Sequence, residues 1–183
     1  MNPDIIATIY QIRKLSTQET IESFNCGDDD LNDFILNEAQ LYSKARLAVS
    51  YVIEKRESKQ VVGFFSLAND RVSLSDFENK TEFNRFRKKR FVNDKRIKSY
   101  PAVKIGRLGI DISAKGQSLG TFIIDFIKSY FVYDNKSGCR FITVDAYLEA
   151  LPFYLKNGFI PLSEESEDEP TKLLFFDLEE ISN

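Results

Sequence analysis

Six stretches of this chain carry the short apolar runs or the alternation of β-strands, and three others place their apolar residues at helical spacing. Thr8–Lys14, Leu47–Glu54, Gln60–Ala68, Val103–Ile112, Arg140–Tyr147 and Leu173–Leu178 are the β-rich runs. The charged turn Lys55–Lys59 makes a hairpin of the second and third. Leu31, Phe34, Ile35, Leu41 and Tyr42 recur with helical period behind a cap among Asp28, Asp29 and Asp30, which predicts an amphipathic helix to about Lys44. Gln117–Tyr133 predicts a long helix, and Leu151–Asn157 a short one with Pro152 in its first turn and Gly158 as its stop. Asp70–Tyr100 is polar and interrupted, and predicts one or two helices that turn Phe83, Phe86 and Phe91 inward. Pro101 ends any helix before the strand from Val103. The order is strand, helix, hairpin, insertion, strand, helix, strand, helix, strand, and a mixed sheet with helices on both faces accommodates it.

The junction between the run Arg107–Ile112 and the helix from Gln117 holds two glycines, Gly116 and Gly120, four positions apart. A strand, a tight loop and a helix N-terminus present first-turn N–H groups without intrahelical partners at the positive end of the macrodipole. Glycines let such a backbone bend sharply and approach a ligand, so the geometry suits a phosphate or pyrophosphate. An ordinary strand-to-helix turn carries the same pattern.

Composition narrows the chemistry. A chain of 183 residues with 43% hydrophobic and 29% charged residues predicts one soluble globular domain. No apolar run approaches the ~20 residues of a membrane span, and no basic-then-apolar leader is expected. Cys26 and Cys139 lie far apart without metal-like spacing, so two reduced cysteines in a cytoplasmic protein are expected, and no metal. The chain has no histidine, which excludes Ser-His-Asp and Cys-His machinery. The net charge of −3 hides a segregation, since Arg71–Tyr100 holds ten Lys/Arg against four Asp/Glu, whereas Glu164–Glu169 holds five acids. A basic block of that kind can attract a polyanion.

Three marks in this order resemble the GNAT superfamily of acyl-CoA-dependent N-acyltransferases, over nearly the whole chain from about Tyr10. Lys115-Gly116-Gln117-Ser118-Leu119-Gly120-Thr121 is similar to the family's pyrophosphate loop, Val144-Asp145-Ala146 to the strand after the loop's helix, and Phe153-Tyr154-Leu155-Lys156-Asn157-Gly158-Phe159 to the family's F-Y-x-x-x-G-F. Ser118 stands where the first pattern glycine falls; a serine can still present its N–H provided its φ is negative. Lys115 is an unusual lead residue and adds positive charge beside the phosphates. Within the superfamily the chain resembles toxins that acetylate aminoacyl-tRNA, at Phe24–Gly27, Leu31–Phe34, Val62–Leu67 and Gly106–Asp111. The resemblance implies an α/β (α+β) fold with a mixed, mostly antiparallel central sheet and helices on both faces. It implies a single N-acetyltransferase domain over residues 1–183, with a basic insertion at about 70–100. It also implies acetyl-CoA as cofactor and a primary amine as acceptor. Charged tRNA, a small molecule and a protein remain alternatives for that amine; a catalytically silent acyl-CoA- or RNA-binding module is the alternative of another class. An antitoxin and a second copy of the chain are the further partners implied.

The resemblance also assigns roles. The backbone of Leu108, Gly109 and Ile110 would hold the pantetheine arm and the thioester oxygen, and Lys115, Gly116, Gln117, Ser118, Leu119, Gly120 and Thr121 the diphosphate. Tyr154 would protonate the leaving thiolate; its other reading is a packing aromatic beside Phe153. A phenol of pKa ~10 gives a proton to a thiolate of ~8.5 with a deficit of ~1.5 units, or ~2 kcal/mol. An α-amine at ~7.7–8.0 is deprotonated far more easily at pH 7 than a lysine at ~10.4, which favours an α-amine acceptor in a chain without histidine. Glu149 and Asp145 remain possible bases, each also readable as a cap or surface acid. Arg85, Arg87, Lys88, Lys89, Arg90, Lys95, Arg96 and Lys98 are the candidate phosphate contacts, or else a solvated helix face. Cys26 reads as buried structure, and Arg107 as either a cofactor contact or half of a salt bridge.

Overall fold

The computed structural model describes residues 3–91, 97–133, 137–163 and 170–182. In chain order its elements are α1 (Pro3–Ile9), β1 (Tyr10–Lys14), α2 (Asp29–Asp33), a π-turn (Phe34–Glu38), α3 (Ala39–Lys44), β2 (Val49–Lys55), β3 (Val61–Ser73) and α4 (Lys80–Arg90). There follow β4 (Ser99–Ile110), α5 (Leu119–Tyr133), β5 (Phe141–Tyr147), α6 (Leu151–Lys156), β6 (Ile160–Pro161), β7 (Thr171–Asp177) and α7 (Glu179–Ser182). The strands run β1-β2-β3-β4-β5-β7-β6 in one sheet. β1/β2, β2/β3, β5/β7 and β6/β7 are antiparallel, whereas β4 and β5 are parallel. This is the expected α/β class with a mixed, mostly antiparallel sheet.

The chain divides into two compact units, Met1–Ala68 with Ile105–Ser129, and Asn69–Lys104 with Tyr130–Asn183. In the first, the Asp28 carboxylate accepts the Leu31 N–H at 3.0 Å and starts the helical run that ends at Lys44. Strand alternation then sorts the aromatics. Val52 and Phe64, opposite each other in β2 and β3, join Phe24, Phe34 and Ile35 in one buried cluster. Their neighbours Tyr51 and Phe65 stack at 5.0 Å and meet Phe126 of α5. In the second unit, Phe83 and Phe86 face inward from α4 onto Tyr100, Phe141 and Phe175. Asn79 caps α4 by accepting the Thr81 and Glu82 N–H groups, and its last turn carries Arg87, Lys88, Lys89 and Arg90, the sign that the helix dipole favours there.

Several expectations are corrected. Thr8 and Ile9 belong to α1 rather than to the first strand: the Thr8 hydroxyl donates to the Ile5 carbonyl at 2.7 Å, a local bond that helical backbone offers. Asp70–Ser73, with Val72 buried among them, continue β3 rather than opening the insertion. Pro101 lies inside β4, which begins at Ser99; it lacks a donor, but its carbonyl accepts the Arg140 N–H at 2.9 Å. β4 ends at Ile110 because Asp111 caps the 3-10 turn Ile112–Ala114. The long helix starts at Leu119, two residues later than expected, since Ser118 has a left-handed φ that no helix accepts. Phe91 does turn onto the buried cluster, as expected, though it stays half-buried, stacked on Tyr100 at 4.2 Å. The acidic run Glu164–Glu169 lies outside the described residues.

Candidate active site

The first unit carries the loop. At its entrance the Asp111 carboxylate accepts the backbone N–H groups of Asn25 and Ser113, each at 2.9 Å, and the Ser113 hydroxyl at 2.6 Å. Desolvation opposes ionisation here, but the Ser113 and Asn25 donors outweigh it and hold this carboxyl below its ordinary value. Ile112 returns a bond from its N–H to the Asn25 carbonyl at 2.8 Å, so the 24–27 segment is pinned to the end of β4. Two residues of the turn that follows are left-handed, Gly116 at φ 78° and Ser118 at φ 64°. The negative φ expected of Ser118 is therefore not found; the serine adopts the conformation a glycine takes most easily. A Cβ on Gly116 would meet nothing within 4 Å, so that side of the turn is open.

The Ser118 carbonyl accepts the Phe122 N–H at 3.1 Å, which leaves the N–H groups of Leu119, Gly120 and Thr121 in the first turn of a 15-residue helix. An open turn leading into such a helix end fits a diphosphate. Tyr10, only 3% exposed, donates its hydroxyl to Gln117 Oε1 at 2.5 Å and steadies the turn from β1. Sequence reasoning missed this residue, because a tyrosine in a short strand carries no mark of what its hydroxyl reaches.

The candidate arm-binding residues behave differently. Leu108 and Ile110 are half-buried, and Gly109 is buried so closely that a Cβ would stand 2.8 Å from the Phe64 ring. Arg107 lies with its guanidinium 4.1 Å over Phe34 and 5.4 Å over Tyr42, and 3.9 Å from Asp30. It is occupied by the helical run Asp29–Lys44 on which it packs. Cys26 is buried and its thiol is pushed up by that burial, as befits structure rather than nucleophilic chemistry.

The second unit carries Tyr154 in α6. This helix ends in a Schellman motif: Gly158, at φ 82°, donates its N–H to the Leu155 carbonyl at 3.0 Å, and Phe159 donates to the Tyr154 carbonyl at 3.1 Å. The hydrophobic contact of that motif is Tyr154 against Phe159, with ring centroids 5.4 Å apart. The F-Y-x-x-x-G-F pattern is thus a helix stop that fixes the phenol ring. Tyr154 is 6% exposed, and burial pushes its pKa up to about 12. Of the two possible bases, Asp145 forms an ion pair with Lys104, and Glu149 is exposed.

The basic candidates separate. Arg85, Lys88 and Lys89 are exposed and, with Thr81 and Asn84, line a groove of about 460 Å³ on α4. Lys98 is exposed as well. Arg87 is half-buried, 5.7 Å over Phe83. Arg90 stands 3.3 Å from Asp177 and over the rings of Phe86 at 4.3 Å and Phe175 at 4.9 Å, so its charge is taken up by the core. Lys95 and Arg96 lie outside the described residues. Cys139 has its thiol pushed up to about 11 by burial. Among the described residues no group of three His, Cys, Asp or Glu could hold a metal ion, and no helix is long and apolar enough to cross a membrane.

Residues 78–178 match the family model of the acetyltransferase (GNAT) domain. Similar solved structures include a tyrosine-to-phenylalanine variant of KacT, 21% identical with a TM-score of 0.70, covering 95% of this chain and 98% of that one. AtaT complexed with acetyl-methionyl-tRNAfMet is 24% identical with a TM-score of 0.69, over 94% of this chain and 97% of that one. A variant of the toxin AtaT bound to the C-terminus of the antitoxin AtaR and acetyl-CoA is 23% identical with a TM-score of 0.66, over 94% and 96%. Likeness at this level of identity shows a shared fold.

Proposed function

The chain belongs to the GNAT acetyltransferase family, and from that premise we propose that it moves an acetyl group from acetyl-CoA to the α-amine of an aminoacyl-tRNA. It is an N-acetyltransferase by family; the acceptor is the proposal. The observation that carries it is the groove on α4, where Arg85, Lys88 and Lys89 stand exposed for phosphates while Arg87 and Arg90 are spent on rings and Asp177. AtaT, which shares the fold, is found with acetyl-methionyl-tRNAfMet and with an antitoxin. A toxin role with a protein antitoxin follows by that likeness, and work in the cytoplasm accords with two free cysteines.

Acetyl-CoA would supply the acetyl group as a thioester, activated for attack by an amine. The turn Lys115–Thr121 would hold the diphosphate through backbone N–H groups and the Lys115 ammonium, and the backbone of Leu108–Ile110 would hold the arm. Alignment of this kind is worth ~7–11 kcal/mol. Tyr154 would give its proton to the sulfur that leaves as the amine takes the acetyl group, the proton shed by nitrogen passing to water and water returning one to the phenolate. With the phenol at about 12, the deficit against a thiolate of ~8.5 is ~3.5 units, ~4.8 kcal/mol. Desolvation disfavours the thiolate too and narrows that gap.

Labelled acetyl-CoA offered with charged tRNA, free amines and a peptide panel tests the reading. Label confined to charged tRNA is expected. Label on peptides or free amines instead overturns the acceptor, and no transfer despite calorimetric binding of the cofactor overturns the enzyme in favour of a silent module.

A further inference from the structure

Asp70 near the end of β3 is partly buried, and no lysine or arginine among the described residues pairs with it. Its partner is the hydroxyl of Thr143, a residue 1% exposed, which donates to the carboxylate. Thr143 stands opposite Lys104 in the parallel pair of β4 and β5, so their side chains leave the same face of the sheet. Asp145, two residues on from Thr143, shares that face and forms an ion pair with Lys104. The row therefore holds two carboxylates and one ammonium. Among the described residues Lys104 is spent on Asp145, while Asp70, with one hydroxyl donor, has lone pairs to spare. Ala102 and Phe141 lie on the same face within the aromatic cluster, so one end of the row is apolar and the other polar. A half-buried carboxylate with a single hydroxyl donor has room for one more donor, and a charge-assisted N–H is the strongest it can take.

We propose that this row is the acceptor subsite, in which Asp70, oriented by Thr143, accepts an N–H from the primary amine that receives the acetyl group. The proposal rests on the acetyl-transfer reading above and adds the residue that recognises the amine. Thr143 is a positioning residue, acting through Asp70. Lys104 keeps Asp145 from competing for the amine, so the acceptor meets one available carboxylate rather than two. A bond from Thr143 that merely ties β3 to β5 predicts loss of stability on mutation and nothing else.

The experiment compares the full chain with its D70N and T143V variants, using initiator methionyl-tRNA as acceptor and calorimetry with coenzyme A. In D70N the KM for the charged tRNA rises about tenfold to a hundredfold, the worth of one charge-assisted hydrogen bond. Its coenzyme A affinity and Tm stay near those of the parent, since the substitution keeps the side chain's shape. T143V gives a smaller rise in the same KM. The parent binds charged tRNA more tightly than uncharged tRNA, and D70N loses that difference. A D70N protein with an unchanged KM and an intact preference for charged tRNA overturns the subsite alone. A parent chain that acetylates no charged tRNA overturns the acceptor reading and the subsite with it.

Discussion

Two of the turns that enter the left-handed region use it for opposite ends. At the stop of α6, Gly158 sits inside a closed set of bonds: its own N–H and that of Phe159 reach back to Leu155 and Tyr154, and a ring contact seals the turn. At the start of α5, Gly116 and Ser118 stand in a turn whose Gly116 side is open, ahead of N–H groups that the helix leaves without partners. The first turn satisfies itself and fixes a tyrosine. The second leaves donors to be satisfied by a ligand. Conformation alone does not separate structure from function here; what the freed backbone groups meet does.

The largest effect expected is at the fixed tyrosine. Tyr154→Phe keeps the ring against Phe159 and removes only the proton donor, so kcat falls by about 10²-fold or more while coenzyme A affinity stays within about twofold. With the phenol pushed up to about 12 by burial, Tyr154 stays protonated across the working range, so the parent enzyme shows no alkaline loss of rate from this group below about pH 10. Parental turnover in the variant removes Tyr154 from the reaction and leaves α6 a packing element.

The same chemical change in the two turns sharpens the contrast. Gly158→Ala forces a Cβ into a conformation held by its own hydrogen bonds, at about 1–2 kcal/mol. It lowers Tm by several degrees, with no change in coenzyme A affinity. Gly116→Ala has room for the methyl group, but the same φ is disfavoured, so the looser turn relaxes and misdirects its N–H groups. Its calorimetric Kd for coenzyme A rises about tenfold to a hundredfold while Tm barely moves, the loss of roughly one hydrogen bond to a charged group. If both variants lose stability and neither loses affinity, the loop is an ordinary connection.

How far the sequence foretold these turns depends on what kind of signal each gives. The helix stop was legible because its residues form a local pattern: Pro152 early, Gly158 late, and apolar residues on either side of the glycine. The loop was legible in place, not in conformation, since composition does not announce that Ser118 is left-handed. Asp70 was illegible. A carboxylate beside Asn69 and Arg71 looks like loop, and only the sheet order β3-β4-β5 brings Thr143 against it. The basic block was half legible, because charge can be counted but its commitment cannot. Arg90 is consumed by Asp177, a partner 87 positions away.

The smallest expected effect probes the departure itself. Ser118 at φ 64° carries about 1–2 kcal/mol of left-handed strain that a glycine would not, against an unfolded-state entropy for glycine of roughly 0.5–1 kcal/mol. Ser118→Gly should thus stabilise the chain by about 0.5–1 kcal/mol, a rise in Tm of about 1–4 °C for a protein of this size. Because glycine keeps the same backbone direction, coenzyme A affinity should stay within about twofold. A fall in Tm would mean that the serine side chain holds the turn more strongly than its backbone resists, and the serine would then be a structural part of the phosphate loop rather than a tolerated substitute for glycine.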